Sequence, residues 1–317
     1  MQDFSFTERT QREAGFAQVF NTRIVPILER HEKTRLEQRR KALTGMGIAG
    51  TGTVGALGAG AYLESAFGLV FGAFGGFATW AVKSHFEKKW QKGLGQEVLP
   101  ILCDFMGEME YGEQKIDVHS FVNLGVVPHF NESSLEDPVI GRHDGLDWYM
   151  TEAHLKKKSR DSKGKTRRST VFRGLLFMIS IHGPAPRIFF GKDRSGSFGW
   201  LSDIFSSQGS GMEKVEIGNP DFEDIYQVYT SDLGAARNFI DDRLMAGLRE
   251  IAEIESGRKY IACGMEGDWL YLALPRTDDF LGLGSLFKPL TSIENDLHEA
   301  IADLDLPARV LDRLRGL

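Results

Sequence analysis

Histidine and aspartate side chains gather in the middle of the sequence and are the first candidates for chemistry. They are His119, His129, His143, His154 and His182, with Asp137, Asp144 and Asp147 nearby. Imidazole and carboxylate groups can transfer protons or bind a metal ion when several of them converge. The sequence contains no HxH or HExxH pattern among them, so we expect neither a metal site nor a cofactor.

Motifs for covalent catalysis are missing as well. The two cysteines, Cys103 and Cys263, lie far apart and fit buried apolar thiols in a reducing compartment. No GxSxG nucleophile motif occurs. The Ser/Gly-rich stretch 196–211 lacks the Lys-Ser/Thr ending of a phosphate-binding loop. These residue types therefore favour a non-enzymatic protein and leave an enzyme with an unrecognised site as an alternative.

The most basic run of the chain lies at residues 156–168, which contain eight basic residues and one acidic residue. The basic residues are Lys156, Lys157, Lys158, Arg160, Lys163, Lys165, Arg167 and Arg168. Because the run lies between two predicted strands, we expect a long hairpin loop whose tip projects into solvent. It is either a solvated loop without a partner or a contact with anionic lipid head groups, at about 1 kcal/mol per basic residue. Aromatic side chains for base stacking are absent from the run and the chain carries a net charge of −6, so we expect no nucleic-acid partner.

Two runs without charged residues, at about 42–63 and 65–82, are separated by Glu64 alone. Each is near the roughly 20 residues that an α-helix needs to cross a bilayer core. We expect a two-span transmembrane hairpin with Glu64 at the far interface. Basic residues flank both runs and the turn has none, so both termini are predicted to lie in the cytoplasm.

Small residues recur every four positions in both runs, a pattern that lets helix backbones approach closely in lipid. They are Gly52, Ala56, Gly60, Gly68, Gly72 and Gly76. Trp80 and Trp90 are predicted to lie around the cytoplasmic interface, where indole side chains are enriched. Amphipathic patterns before and after the runs predict helical arms, at 16–28 and 86–105, which pair as a short antiparallel stalk.

After residue 111 the hydrophobic period changes from helical to strand-like. Short aromatic and β-branched segments predict strands of an antiparallel sheet at 138–140, 146–155, 169–181, 187–190, 225–229, 259–263 and 269–274. A helix is predicted over 232–255, capped by Ser231 and ended by Gly257. Residues 264–268 are predicted to turn one strand into the next, and short helices close the sequence.

Five segments along the chain carry a family resemblance. They are Phe20-Asn21-Thr22-Arg23-Ile24-Val25-Pro26-Ile27-Leu28, the basic-flanked apolar pair, Val171-Phe172-Arg173-Gly174-Leu175-Leu176-Phe177, Tyr226-Gln227-Val228-Tyr229 followed by Asp232 and Ala235-Ala236-Arg237, and Trp269-Leu270-Tyr271-Leu272-Ala273. In content and order they resemble the bacterial family named domain of unknown function 3137, over about residues 15–290. The resemblance implies a membrane-associated protein, which we expect at the bacterial inner membrane. It brings no activity, cofactor or catalytic residue with it.

Together these patterns predict an α+β protein with an N-terminal two-span transmembrane hairpin, helical arms and a cytoplasmic antiparallel sheet packed with helices. The predicted regions are a basic helical arm (1–41), the hairpin (42–82), a juxtamembrane arm (83–112) and the α+β domain (113–317). The function we expect is that of a membrane-tethered interaction module that binds anionic lipid or a protein partner. Two alternatives stay open: an enzyme with an unrecognised site near the histidines and aspartates of 137–182, and a membrane-remodelling or oligomeric protein acting through its glycine-rich spans.

Overall fold

The computed structural model describes residues 4–62, 67–160, 164, 166–191, 211–257 and 261–314. For 48–50, 52–62, 67–76 and 256 it describes the backbone alone. The chain forms two compact units, each assembled from separate parts of the sequence. The first contains residues 1–105 and 281–303, and the second contains residues 106–280 and 304–317. The α+β domain predicted over 113–317 includes residues 281–303.

The first unit is helical. Its elements are a 3-10 turn at Gln11–Glu13, α1 (Phe16–Val19), a π-helical turn at Phe20–Ile24, α2 (Val25–Tyr62), α3 (Phe67–Met106), a 3-10 turn at Leu290–Ser292 and α8 (Glu294–Leu304). Pro26 follows the π-helical turn after one intervening residue, Val25. Since proline has no amide hydrogen and its ring crowds the carbonyl four residues earlier, the wider π-helical turn relieves that clash without ending the helix.

Helices α2 and α3 run side by side in antiparallel directions. At the end near the N-terminal arm, Arg23 forms a salt bridge with Asp104. Further along, His31 Nε2 lies 2.8 Å from Glu97 Oε1, and Arg30 forms a 3.0 Å salt bridge with the same carboxylate. These contacts show the two arms paired as helices up to the predicted spans.

A segment that we call the strap, residues 281–290, crosses both long helices of this unit. Its backbone is held by side chains: Arg35 Nη1 donates to the Leu286 carbonyl at 3.0 Å, and Gln91 Nε2 donates to the Gly284 carbonyl at 3.0 Å. Arg35 also makes a bidentate pair with Glu32, at 2.7 and 2.6 Å. Both partners of this ion pair are buried, with side chains only 3% and 7% exposed. The strap is thus held by hydrogen bonds from side chains, and leaving such buried polar groups unpaired would cost free energy of folding.

The N-terminal segment packs against α8 in the same unit. Phe6 lies edge-on to Phe16, with ring centroids 4.8 Å apart. Glu13 is buried and accepts hydrogen bonds from the Thr10 amide and from His298, at 3.1 and 2.8 Å. This carboxylate therefore links the start of the described chain to a helix near its end.

The second unit is built on an antiparallel sheet with helices. Its strands are β1 (Met109–Tyr111), β2 (Glu132–His143), β3 (Leu146–Arg160), β4 (Thr166–Gly191), β5 (Glu213–Val215), β6 (Gln227–Thr230) and β7 (Ala262–Pro275). The order is β1-β2-β3-β4-β6-β5, and β7 runs along the other edge of β4. The long strand β4 therefore pairs with β3 along its first part and with β6 near its end.

Both faces of this sheet are covered. The helices of the unit are α4 (Val118–Leu124), α5 (Pro220–Glu223), α6 (Leu233–Ala236), α7 (Asp242–Ser256) and α9 (Leu306–Arg313). On one face Phe121 of α4 packs edge-on to Tyr271 of β7, with ring centroids 5.1 Å apart. Residues of the opposite face, such as Trp148 and Leu272, are also buried, as the alternation of side chains along a strand requires in a sheet between two layers.

The mixed α+β class with an antiparallel sheet is confirmed. Within the described residues, no helix has a stretch whose length and hydropathy would suffice to cross a membrane. The transmembrane hairpin predicted at 42–82 is therefore not supported. Most of its side chains, including all six small residues from Gly52 to Gly76, lie outside the described residues.

Two local predictions for the second unit are wrong. The helix predicted over 232–255 is interrupted, because the Asp241 carboxylate accepts a hydrogen bond from the Leu244 amide at 2.8 Å and so caps a new helix, α7. The predicted cap is also wrong, since Asp232 and not Ser231 caps α6. The turn predicted at 264–268 is absent, since β7 continues through it beside β4. Gly267, with φ of +59°, accommodates the irregularity where the register of the two strands shifts.

Candidate functional site

The basic run forms the end of the β3–β4 hairpin, which we call the basic ribbon, residues 156–170. Strand β2 begins at Glu132, opposite Lys156, and β7 ends at Pro275, opposite Gly174. Beyond those positions the described ladder has only two strands, which pair from Lys156↔Thr170 to Arg160↔Thr166. The predicted projecting loop is thus, in its described part, a two-stranded ribbon.

Asn131 fixes the base of the ribbon. Its side-chain amide donates to the Lys158 carbonyl at 2.9 Å and accepts from the Lys158 amide at 2.7 Å. The side chain thereby satisfies the backbone groups of β3 just beyond the start of β2. A two-stranded ribbon is marginal by itself, so this contact helps to keep the ribbon extended.

Positive charge occupies both faces of the ribbon. Lys158 stands directly opposite Arg168, and Lys156 and Arg160 share that face by the two-residue period of a strand. Lys157 and Arg167 lie on the other face. These side chains are exposed except for Lys156, which is half-buried. Lys163 and Lys165 lie outside the described residues.

Carboxylates compensate little of the charge on the described part of the ribbon. Among its described bases, Arg168 has a carboxylate partner, Glu132 at 3.0 Å. Like charges directly opposite each other across a ladder destabilise the pairing, so Lys158 and Arg168 oppose folding. With eight basic residues and one acidic residue the run 156–168 has a charge of +7, and since the whole chain has −6, the remainder has −13. This segregation of charge makes the ribbon the strongest candidate for an anion-binding surface.

The predicted histidine and aspartate cluster is only partly assembled. His143 Nε2 lies 3.0 Å from Asp312 Oδ1, and these two groups and Asp144 offer ligand atoms within 4.8 Å of one another. Sequence reasoning missed Asp312, which lies 169 positions further along the chain. Asp144 and Gly145 have φ of +49° and +84°, so the aspartate also serves a tight hairpin turn. The contact fastens α9 to that hairpin, and we assign no metal to it.

Three other members of that predicted cluster make contacts of their own. Asp147 pairs with Arg142 at 3.1 Å. His119 stacks on Phe130 with ring centroids 5.5 Å apart, and His154 contacts the Thr170 hydroxyl at 3.0 Å. These three contacts serve local packing and pairing.

The cysteines are buried, as predicted. Burial raises the pKa of the Cys103 thiol to about 12 and raises the pKa of Cys263 also. A thiol whose pKa is raised forms little thiolate at neutral pH and is a poor nucleophile.

In the first unit, Phe77 and Trp80 stand out from the surface of α3. Their side chains are 65% and 62% exposed, and their ring centroids lie 5.8 Å apart. Lys88, Lys89 and Lys92 follow on the same helix and are exposed. Trp90 does not share this exposure: it is 3% exposed, and a Cβ at Gly284 would lie 3.1 Å from its ring, so its predicted interfacial role is wrong.

The second unit is thus an antiparallel α+β unit whose candidate site is a projecting basic ribbon. Residues 170–315 match the family described as "Protein of unknown function (DUF3137)". The family resemblance seen in the sequence is thereby confirmed over this segment, which begins within the ribbon and includes most of β4 together with β5, β6 and β7.

No curated protein matches the chain significantly. Among solved structures, the chain is similar to that of the mycobacterial trehalose monomycolate transport factor A, with 13% sequence identity and a TM-score of 0.31. The similarity covers 68% of this chain and 93% of that one.

Proposed function

We propose that this protein is a membrane-tethered interaction module whose basic ribbon docks on anionic lipid head groups at the inner membrane. The observation that carries the proposal is the ribbon itself. Six basic side chains lie on the described part of a two-stranded projection, and the run 156–168 has seven net positive charges in a chain that is acidic elsewhere. Cationic side chains near an anionic leaflet gain roughly 1 kcal/mol each, which offsets their mutual repulsion.

The tether is inferred from the sequence of the predicted hairpin together with the surface of α3. Aromatic side chains at the head-group level, followed by lysines, are typical of a helix leaving a membrane on the cytoplasmic side. Phe77, Trp80 and the lysines of α3 follow this order along the helix. The proposal places residues 42–82 in the bilayer and both termini in the cytoplasm.

The tether is tested by excising the hairpin without disturbing the arms. A Cβ at Gly45 would lie 3.2 Å from Val82 Cγ1, so the helices are neighbours there. Replacing residues 46–81 by a short Gly/Ser linker should keep the arms paired and release the protein from carbonate-washed membranes. A variant that stays in the membrane pellet as the intact chain does would contradict the tether.

Lipid docking is tested on the full chain in nanodiscs. Because both native cysteines are buried, a fluorophore on Ser159→Cys reports the ribbon alone. Quenchers on the lipid head groups should quench this fluorophore in discs with phosphatidylglycerol and much less in phosphatidylcholine discs. The quenching should weaken as salt shortens the screening length to about 8 Å near 0.15 M.

The matched control replaces seven ribbon bases with glutamine and keeps Arg168, which pairs with Glu132. In this variant the difference between the two lipids should disappear. Equal quenching of the unchanged ribbon in both lipids, at low salt, would refute lipid docking. So would ribbon-dependent binding of RNA or of a protein without any lipid effect.

A further inference from the structure

Glu152 is a carboxylate buried within the sheet of the second unit. It lies on β3 with its side chain 10% exposed. Its Oε2 atom accepts a hydrogen bond from the backbone amide of Phe280 at 3.3 Å, and Phe280 is itself buried. We call residues 276–280, which follow β7, the exit segment. This segment is also held at its start, because the Arg276 amide donates to the Arg173 carbonyl at 3.1 Å.

The charged groups around Glu152 are mostly of its own sign. Glu136 stands directly opposite it on β2, and Asp137 lies at the bulge that follows. Asp279 belongs to the exit segment, next to Phe280. The opposing charge comes from β4, where Arg173 Nε lies 3.8 Å from Glu152 Oε1 and the Arg173 side chain is 40% exposed. Burial in this setting disfavours an ionised carboxylate.

We propose that Glu152 is a proton-dependent clasp, whose neutral carboxyl group holds the exit segment against the sheet and whose ionised form releases it. The neutral group still accepts from the Phe280 amide through its carbonyl oxygen. Ionisation leaves a charge that is buried and that is repelled by Asp279. When the exit segment moves away, water reaches the carboxylate and Asp279 lies further from it, so both the desolvation and the repulsion are relieved. The proposal goes beyond the proposed function and does not depend on it.

The direction of the pH effect follows from linkage. Burial raises the pKa of Glu152 to about 7, Asp279 and Asp137 raise it further, and the Phe280 amide and Arg173 act against the rise. A group whose pKa is raised in the closed form stabilises that form below its ordinary value of 4.5, and the contribution is lost as the pH rises through about 7. Release therefore occurs as the pH rises through the neutral range.

The clasp lies next to a connection between the two units. The exit segment ends at residue 280, and residue 281 is the first residue of the 281–303 part of the first unit. The chain passes between the two units at residues 105–106, 280–281 and 303–304. The clasp thus governs how firmly the sheet holds one of these three connections.

Hydrogen exchange of the full chain in detergent tests the clasp. After correction for intrinsic rates, the peptide covering 276–283 should lose protection between pH 5 and pH 8. A pKa raised from 4.5 to about 7 corresponds to a total factor of roughly 300, of which about 70-fold falls between pH 5 and pH 8. Glu152→Gln, which keeps the shape and a carbonyl acceptor, should abolish this dependence. Glu110→Gln, a matched change at an exposed position on β1, should preserve it.

A second measurement uses the unmodified chain, so it does not depend on whether a variant folds. The side-chain carboxyl carbon of Glu152, followed by NMR in the unmodified chain, should titrate with a midpoint near neutral pH. A midpoint near 4.5 overturns the proposal, as does an exchange profile of the 276–283 peptide that is the same in the unmodified chain and in Glu152→Gln.

Discussion

Replacing Arg35 with methionine should destabilise the first unit strongly. The guanidinium is 3% exposed and makes three hydrogen bonds, two to Glu32 and one to the Leu286 carbonyl. Removing one partner of a buried ion pair costs about 3–5 kcal/mol, because the other charge stays buried without compensation. Glu32 would keep the Leu290 amide as a donor at 3.3 Å, so we expect the lower end, about 3 kcal/mol.

The assay is urea unfolding of the full chain in detergent, followed by far-UV circular dichroism, with hydrogen exchange of the strap as a local readout. A loss of this size is a large part of the roughly 5–15 kcal/mol by which proteins are stable. Arg30→Met is the matched control, since the Arg30–Glu97 salt bridge on the same helix has side chains that are 62% and 38% exposed. Such an exposed pair contributes about 0–1 kcal/mol.

A double variant separates the effect of charge from lost packing. Glu32→Gln combined with Arg35→Met removes the uncompensated carboxylate, so it should be less destabilised than Arg35→Met alone. Equal losses for Arg30→Met and Arg35→Met would refute the argument that burial sets the cost. A double variant as unstable as the sum of its parts would refute the coupling.

Three further outcomes are expected. Gly247→Ala should cost about 1–3 kcal/mol of stability in thermal unfolding, because its Cβ would lie 2.3 Å from the Arg313 carbonyl oxygen. Gly93→Ala, whose Cβ would have nothing within 4 Å, should be neutral or stabilising. Equal melting temperatures of the two variants would contradict this. Burial raises the pKa of Glu13, but hydrogen bonds from the Arg9 amide and His298 lower it by more, so the pKa lies below its ordinary value of 4.5. The first unit should therefore lose stability as the pH falls below about 4.5. Glu13→Gln should flatten that loss in urea titrations between pH 3 and 6, and unchanged slopes would count against it. Finally, a thiol reagent should modify the cysteines only as the chain unfolds; rapid modification of the native protein, measured by absorbance, would show that the thiols are accessible.

The sequence predicted those parts of the fold that follow from local periodicity. Strand-like alternation located β3, β4 and most of β7, and the left-handed Gly257 ended its helix as predicted. The break at Arg237–Ile240 was missed because the apolar period continues through it, while the Asp241 cap that starts α7 is a single polar residue within that pattern.

The candidate site shows the same limit. The basic run was visible because its charges are contiguous in the sequence, and its projection followed from its place between two strands. The contacts of Glu152 with Phe280 and of His143 with Asp312 join residues more than a hundred positions apart. No spacing rule on a single sequence could have found them, because only the packing of the sheet brings these groups together.

The alternation of the two units along the chain also has a consequence for how the protein is made. Residues 281–303 belong to the helical unit and α9 belongs to the sheet unit, so each unit needs residues that follow the last strand. During synthesis neither unit can acquire all its contacts until the ribosome has translated these residues. Such long-range closure is slow and leaves apolar surface exposed in the meantime. We therefore expect the nascent protein to depend on chaperones more than a chain of two consecutive domains would.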